Sequence, residues 1–382
     1  MLLTNAFMPD PRPHREALSL IEAGYSVKIL CWDRGEGFQR LGRAMSPREN
    51  VDGIEVERVF LRSVDGRGSS QIFFVLPVFC RMFVRALKED VDLIYCHDLD
   101  ALSLGYVLSI FKRKKLVFDS HEVYSRMVGK NLCALLAGFI RWLERFLVRR
   151  VDLVITTCPA MTELYESYGA RKVLMVSSWK DPRDFEFSRE KLEEEKKKLG
   201  IGDQLVLSYI AHLTPDRIIE PLLDVVKEDE ELVAVVGGHG AKLELVRRAA
   251  EECDRIKCLG FVAGGDVPLY TAISDVVYYG FDKESGMAEF NAPNKLFEAL
   301  AAGKAFIGGD FGYMGEVIRD EECGVALDKF TMGSVKKAVS VMKDRQKLGV
   351  FQANAEKAAL EKYNWQKAEE GLRAAIAELA GK

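Results

Sequence analysis

The chain has 382 residues, too many for one hydrophobic core and enough for two domains of ordinary size. Hydrophobic residues at 48% and charged residues at 29% describe a folded globular protein, and a formal net charge of −4 excludes a globally basic nucleic-acid binder. Eight scattered cysteines, none in a C-x-x-C pair, read as reduced core residues in a cytoplasmic protein rather than disulfides or a zinc site.

Residues 1–6 reach a polar stretch too soon for a signal peptide. The longest apolar run, 72–79, is too short to span a bilayer and contains Pro77. Along the first half, runs of β character at 27–31, 54–62, 93–96, 116–119, 153–156 and 173–176 alternate with helical patterns at 12–23, 99–111, 131–150 and 159–168. That alternation predicts parallel sheets with helical crossovers. Segment 72–87 is rich in Phe, Leu and Val, and segment 131–150 combines an apolar face with Arg141, Arg145, Arg149 and Arg150. A core helix with a solvated edge is the preferred reading, and a peripheral helix facing anionic lipid at the inner membrane face is the alternative. A polar connection at 177–187 and a charged helix at 188–200 follow. Strands resume at 205–210, 232–236, 256–259, 276–279 and 305–308, giving a second doubly wound unit.

Ligands of open parallel sheets bind beyond the carboxyl ends of the strands. Those ends carry His97-Asp98, then Asp119-Ser120-His121-Glu122, then His212, and then Gly237-Gly238-His239-Gly240. Four of the five histidines fall there, and His14 follows the first strand closely. Their spacings are not those of a zinc site, and a magnesium site prefers oxygen donors, so no metal is expected. The glycine-rich turn resembles a phosphate cradle of bare N–H groups leading into a helix at 241–253, but its spacing argues against NAD.

The most informative segment is NAPNKLFEALAAG at 291–303. Asn294 and Lys295 open a helix after Pro293, and Glu298 lies on the same face as Lys295. The cation and the helix N-terminus suit a diphosphate, and Glu298 suits a ribose diol.

With these residues in view, the chain resembles the retaining glycosyltransferases of the GT-B fold, the group 1 or family 4-like enzymes. That resemblance implies an α/β protein of two Rossmann-like doubly wound parallel-sheet domains facing a central cleft. The domains would be 1–180, completed by a C-terminal helix at 365–382, and 181–364. It implies a UDP- or GDP-type nucleotide-sugar donor as co-substrate, no other cofactor, and a sugar, lipid-linked or small-molecule acceptor. Transfer of a hexosyl or N-acetylhexosaminyl group would proceed with retention and without metal. Segment 293–304 is similar to the family's donor-site helix. His121, Arg217 and Lys295 are implied as catalytic, with His212, Gly237, Gly238, Phe261, Asn294 and Glu298 around the donor. Asp10, Arg12, His97, Asp98, Glu122, Glu289 and Asn291 are implied as substrate-binding.

Three features depart from the family pattern, one being a short first strand at 1–6 followed by a loop without the usual glycines. Ala211-His212-Leu213 stands where Gly-Arg-Leu is common, and Phe290 stands eight residues before Glu298 where a second glutamate is common, with Glu289 one position off. The departures at His212 and Phe290 motivate a non-catalytic nucleotide-sugar binder as one alternative, and a nucleotide-sugar epimerase of the same fold is the nearest rival.

Overall fold

The computed structural model describes residues 1–7, 11–35, 45–61, 72–129 and 133–381. The chain divides into two units, residues 1–177 with 368–382, and residues 178–367. Each is built on one sheet.

The first sheet contains β1 (Leu2–Leu3), β2 (Lys28–Asp33), β3 (Arg48–Val51), β4 (Ile54–Phe60), β5 (Leu93–His97), β6 (Lys115–Asp119), β7 (Leu153–Thr156) and β8 (Val173–Met175). Their order is β3-β4-β2-β1-β5-β6-β7-β8, and every neighbouring pair is parallel except β3 with β4. Helices α1 (Pro11–Glu22), α2 (Ile72–Lys88), α3 (Asp98–Lys112), α4 (Tyr124–Gly129), α5 (Ala134–Val148) and α6 (Pro159–Ser167) connect the strands. Strands covered on both faces read as continuous apolar runs, and all four residues of β7 are buried.

Two details differ from the sequence expectation, and the apolar run 72–79 takes the helical form the sequence allowed. The antiparallel edge strand β3 joins β4 through Asp52-Gly53, both at positive φ (53° and 89°), a hairpin turn signalled by the Asp-Gly pair itself. The apolar run 72–79 belongs to the 17-residue α2 with Pro77 inside it, where proline removes one intrahelical hydrogen bond. Within segment 131–150, α5 has the expected buried face, but its solvated edge is apolar as well as basic. Ala137, Glu144, Leu147 and Val148 of α5 face inward, while Leu135, Phe139 and Trp142 face solvent.

The second sheet contains β9 (Leu205–Ile210), β10 (Leu232–Gly237), β11 (Ile256–Gly260), β12 (Val276–Tyr278), β13 (Ala305–Gly309) and β14 (Gly324–Leu327). It is fully parallel, in the order β11-β10-β9-β12-β13-β14. Its helices are α7 (Arg189–Lys198), α8 (Glu220–Glu228), α9 (Leu243–Glu252), α10 (Val267–Ala272), α11 (Asn294–Ala301), α12 (Gly312–Asp320), α13 (Met332–Lys343) and α14 (Arg345–Glu361). The last helix, α15 (Trp365–Ala380), returns to the first unit, where Arg373 donates to Ser19 Oγ at 2.9 Å and Lys172 pairs with Glu378 at 2.5 Å.

Strand order reverses between β1 and β5 in the first sheet and between β9 and β12 in the second. Crevices beyond the carboxyl ends at such points are where open α/β sheets bind ligands.

Candidate functional site

At the first switch point, Asp119 closes β6 and is fully buried. Arg12, in the first turn of α1, donates from Nε to Asp119 Oδ2 at 3.1 Å and from Nη2 to Oδ1 at 2.5 Å. The same Oδ2 meets His97 Nδ1 at 3.0 Å and His121 Nε2 at 2.9 Å. Behind Arg12, Glu16 lies one turn along the helix with Oε1 at 3.2 Å from Arg12 Nε, and Tyr95 donates to Glu16 Oε2 at 2.6 Å. Asp98 sits at φ 62° and accepts the His121 backbone N–H at 3.1 Å, with its carboxylate 3.7 Å from His121 Nδ1. A non-glycine residue in that region is uncommon, and aspartate tolerates it better than most.

Charge in this cluster follows from the geometry. Burial opposes the His121 imidazolium, but the Asp98 and Asp119 carboxylates outweigh it and raise its pKa to about 10. Burial also opposes the Asp119 carboxylate, and Arg12 with His121 overcomes it, holding Asp119 well below the usual carboxylate range. Glu16 is pushed up to about 8 by burial and by Asp119, and Asp98 up to about 6 by burial. His97, Asp119 and His121 present ligand atoms within 4.8 Å of one another, a spacing a metal ion would accept. Arg12 engages both oxygens of Asp119, so in this structure the trio is part of an ion-pair network. Glu122 is exposed, with its carbonyl accepting from Ser120 Oγ at 3.0 Å. His14 stands apart from the other histidines and meets Asp52 in the β3–β4 turn at 2.9 Å. Asp10 lies outside the described residues.

In the second unit, an aromatic row crosses the carboxyl ends of β9, β10 and β11. His212 stacks on His239 with ring centroids 4.4 Å apart, and His239 meets Phe261 at 5.7 Å. Phe261 is 68% exposed, unusual for an aromatic at a strand end and suited to stacking against a planar ligand. Arg217 lies over Tyr279 and Phe281, 5.0 and 4.7 Å from the ring centroids, and donates to the Tyr279 hydroxyl. Its guanidinium is thus fixed by two rings.

The glycines of the turn have another explanation than the sequence offered. Gly237 is the last residue of β10, and a Cβ there would lie 2.5 Å from Val262 Cγ2. The Gly238 N–H donates to Gly260 O at 2.6 Å, so it is not a bare amide awaiting phosphate. Gly238 has φ 145°, and a Cβ would lie 1.9 Å from Ala211 O. The following helix starts at Leu243, two residues later than the sequence indicates.

Pro293 caps α11, and Lys295 pairs with Glu298 on its buried side. Lys180 joins this group, donating to Asn294 Oδ1 at 2.7 Å and lying 3.9 Å from Glu298 Oε1. Asn291 keeps a buried Nδ2 without a hydrogen-bond partner just before the helix. Phe290 is buried in a short turn (Ala288–Phe290), while Glu289 points to solvent. The position eight before Glu298 thus carries a buried ring, and the neighbouring carboxylate is exposed.

Sequence patterns miss two members of these clusters, whereas Asp119 is marked by its place at a strand's carboxyl end. Glu16 reads as surface helix, although its i,i+4 spacing from Arg12 is a usable signal. Lys180 falls in the connection between the two units, with nothing local to mark it.

Two family models match the chain: a glycosyl transferase 4-like domain over residues 11–179 and glycosyl transferases group 1 over residues 191–358. A GDP-mannose-dependent alpha-(1-6)-phosphatidylinositol monomannoside mannosyltransferase of Mycobacterium tuberculosis is 25% identical over 155 residues, 38% of this chain and 40% of the relative. Among solved structures, Anabaena HepE in complex with UDP-glucose has a TM-score of 0.74 at 18% identity, covering 99% of both chains. Sucrose-phosphate synthase from Thermosynechococcus elongatus has a TM-score of 0.78 at 14% identity, covering 100% of this chain and 98% of its own. WaaG, a glycosyltransferase involved in lipopolysaccharide biosynthesis, reaches 0.71 at 14% identity over the whole of both chains. These likenesses establish the GT-B fold. With a glycosyl transferase model matched to each half, the chain belongs to the glycosyltransferases, its first half to the 4-like model and its second to the group 1 model.

Proposed function

We propose that the chain transfers a hexosyl or N-acetylhexosaminyl group from a UDP- or GDP-type donor to an acceptor hydroxyl, with retention of configuration and without a metal ion. The observation that carries this reading is the opening of α11, where Pro293, Asn294 and Lys295 present a cation on a helix N-terminus with Glu298 one turn deeper. Departure of a nucleoside diphosphate builds negative charge, and fixed cations aimed at it lower the barrier. Lys295 and Arg217 supply that charge, with Arg217 held by Tyr279 and Phe281. Phe261 and the stacked His212–His239 pair receive the nucleobase, and Glu298 the ribose. In the first unit, the His121 imidazolium, oriented by Asp119 and Asp98, acts on the sugar phosphate, while Arg12 and His97 hold that arrangement.

The test is a thermal-shift screen with UDP-, GDP-, ADP- and CMP-sugars, followed by transfer assays with whichever donor stabilises the fold. Stabilisation by a UDP- or GDP-sugar and product formation with an acceptor are expected. Stabilisation by none of the four overturns the reading. Phe290, buried where a donor-facing carboxylate is common, favours the second reading, a non-catalytic nucleotide-sugar binder. Binding without transfer or hydrolysis over a broad acceptor panel would establish it.

A further inference from the structure

Helices α2, α3 and α5 follow three successive crossovers, β4 to β5, β5 to β6 and β6 to β7, and lie side by side on one face of the first sheet. Edge-to-face pairs join them, Phe83 with Phe111 at 5.5 Å and Tyr106 with Phe146 at 6.0 Å. Each also turns an apolar stripe outward. On α5 the stripe is Leu135, Phe139 and Trp142 at i, i+4 and i+7, exposed by 88%, 54% and 58%. On α3 it is Val107, Ile110 and Phe111, and on α2 Val84 and Leu87, all exposed. Single exposed apolar residues are ordinary, but parallel stripes on three adjoining helices form a patch.

The charge beside the α5 stripe is positive. Arg126, Arg141 and Arg145 lie near enough to Tyr168 to act on its hydroxyl. Arg149 Nε donates to Tyr168 O at 2.6 Å, and Arg150 lies 3.5 Å over the Phe146 ring. Among the described residues, no carboxylate lies within 4.0 Å of any of these five arginines. The one acidic side chain of α5, Glu144, is fully buried and faces Tyr165. A protein of net charge −4 thus concentrates positive charge beside exposed Leu, Phe and Trp.

We propose that this face docks on a lipid bilayer carrying anionic headgroups, with Leu135, Phe139 and Trp142 entering the interface and the arginines meeting phosphate. Aromatic and aliphatic side chains on one face with arginines beside them are what an interfacial helix requires. A symmetric dimer through the same patch would set arginines against arginines, which opposes association. A free phosphate ion would use the arginines and gain nothing from the apolar stripe. Docking would bring β6, whose end carries Asp119 and His121 just before α4 and α5, toward the membrane surface. The proposal concerns the surface alone and does not depend on which donor the protein uses.

The experiment is co-sedimentation of the full chain with vesicles of phosphatidylcholine alone and of equal parts phosphatidylcholine and phosphatidylglycerol, at low and high salt. Binding to the mixed vesicles, weakened by salt and by loss of phosphatidylglycerol, is expected. Arg141→Gln with Arg145→Gln should weaken it about 30-fold, on the basis of about one headgroup interaction each. Phe139→Ala with Trp142→Ala should weaken it at both salt concentrations. Because all four side chains are exposed, the variants should melt as the parent does and bind the donor with unchanged affinity by calorimetry. No binding to the mixed vesicles at low salt overturns the proposal. So does binding that both double variants leave unchanged, or a dimer abolished by Phe139→Ala with Trp142→Ala in a protein that ignores vesicles.

Discussion

The two switch points use charge differently. In the first unit, Arg12, Glu16, Asp119 and His121 neutralise one another in a buried network whose members are fixed by several partners each. In the second, Arg217 rests on aromatic rings and Phe261 stands open to solvent, while Lys295 meets a carboxylate at a helix N-terminus. The first arrangement maintains a charge state and an orientation. The second leaves planar and cationic surface for a ligand to cover. Substitutions in the first should therefore register mainly as stability and pH dependence, and those in the second mainly as affinity and turnover.

The largest expected effect is on stability. Asp119→Asn removes the carboxylate from Arg12, His97 and His121 together and should cost about 3–5 kcal/mol, the range for breaking a buried ion pair. Urea denaturation measures it, and a loss within the scatter of surface substitutions would remove Asp119 from the centre of the network. Next comes Lys295→Ala, expected to reduce kcat/KM by about 2–4 kcal/mol in barrier terms with little change in unfolding free energy. Steady-state kinetics with the donor found by thermal shift will decide, and near-parental turnover ends its assignment to the leaving diphosphate. Phe261→Ala should weaken nucleotide affinity by about 1–3 kcal/mol, the worth of one base–aromatic stack, and leave the melting temperature nearly unchanged. Unchanged affinity by calorimetry would show that the aromatic row is not the base platform.

The remaining prediction concerns titration. His121 has a folded pKa of about 10, above its ordinary value, so the stability it contributes is complete below about 6.5 and is lost as pH rises through about 10. Imidazole NMR signals should report a protonated ring through the neutral range, and Asp98→Asn should lower the midpoint. A ring already neutral at pH 7 would contradict the network.

The alternation of apolar runs with helical patterns was enough to identify two parallel-sheet units, because strands buried on both faces must be apolar throughout. The helix at 294–301 was equally legible, since proline, lysine and glutamate fall at fixed offsets along one face. Polar strand β3 was not, although its Asp-Gly turn was written in the sequence. Gly237 and Gly238 carried an ambiguous signal. A glycine needed for close backbone packing looks the same in sequence as one needed to admit phosphate, and only the approach of Ala211 O and the Gly238–Gly260 hydrogen bond separates the two.

By itself, then, the sequence determined the type and succession of the elements and which strand ends carry histidine and aspartate, because these follow from local periodicity. Tertiary structure decided which of those residues meet. Arg12 and Asp119 are 107 positions apart and Lys180 and Asn294 are 114 apart, and no local pattern encodes such pairs. It also decided which way α5 turns its apolar side. An amphipathic pattern fixes that a helix has two faces, but the packing of Glu144, Leu147 and Val148 against the first unit determines which one is buried.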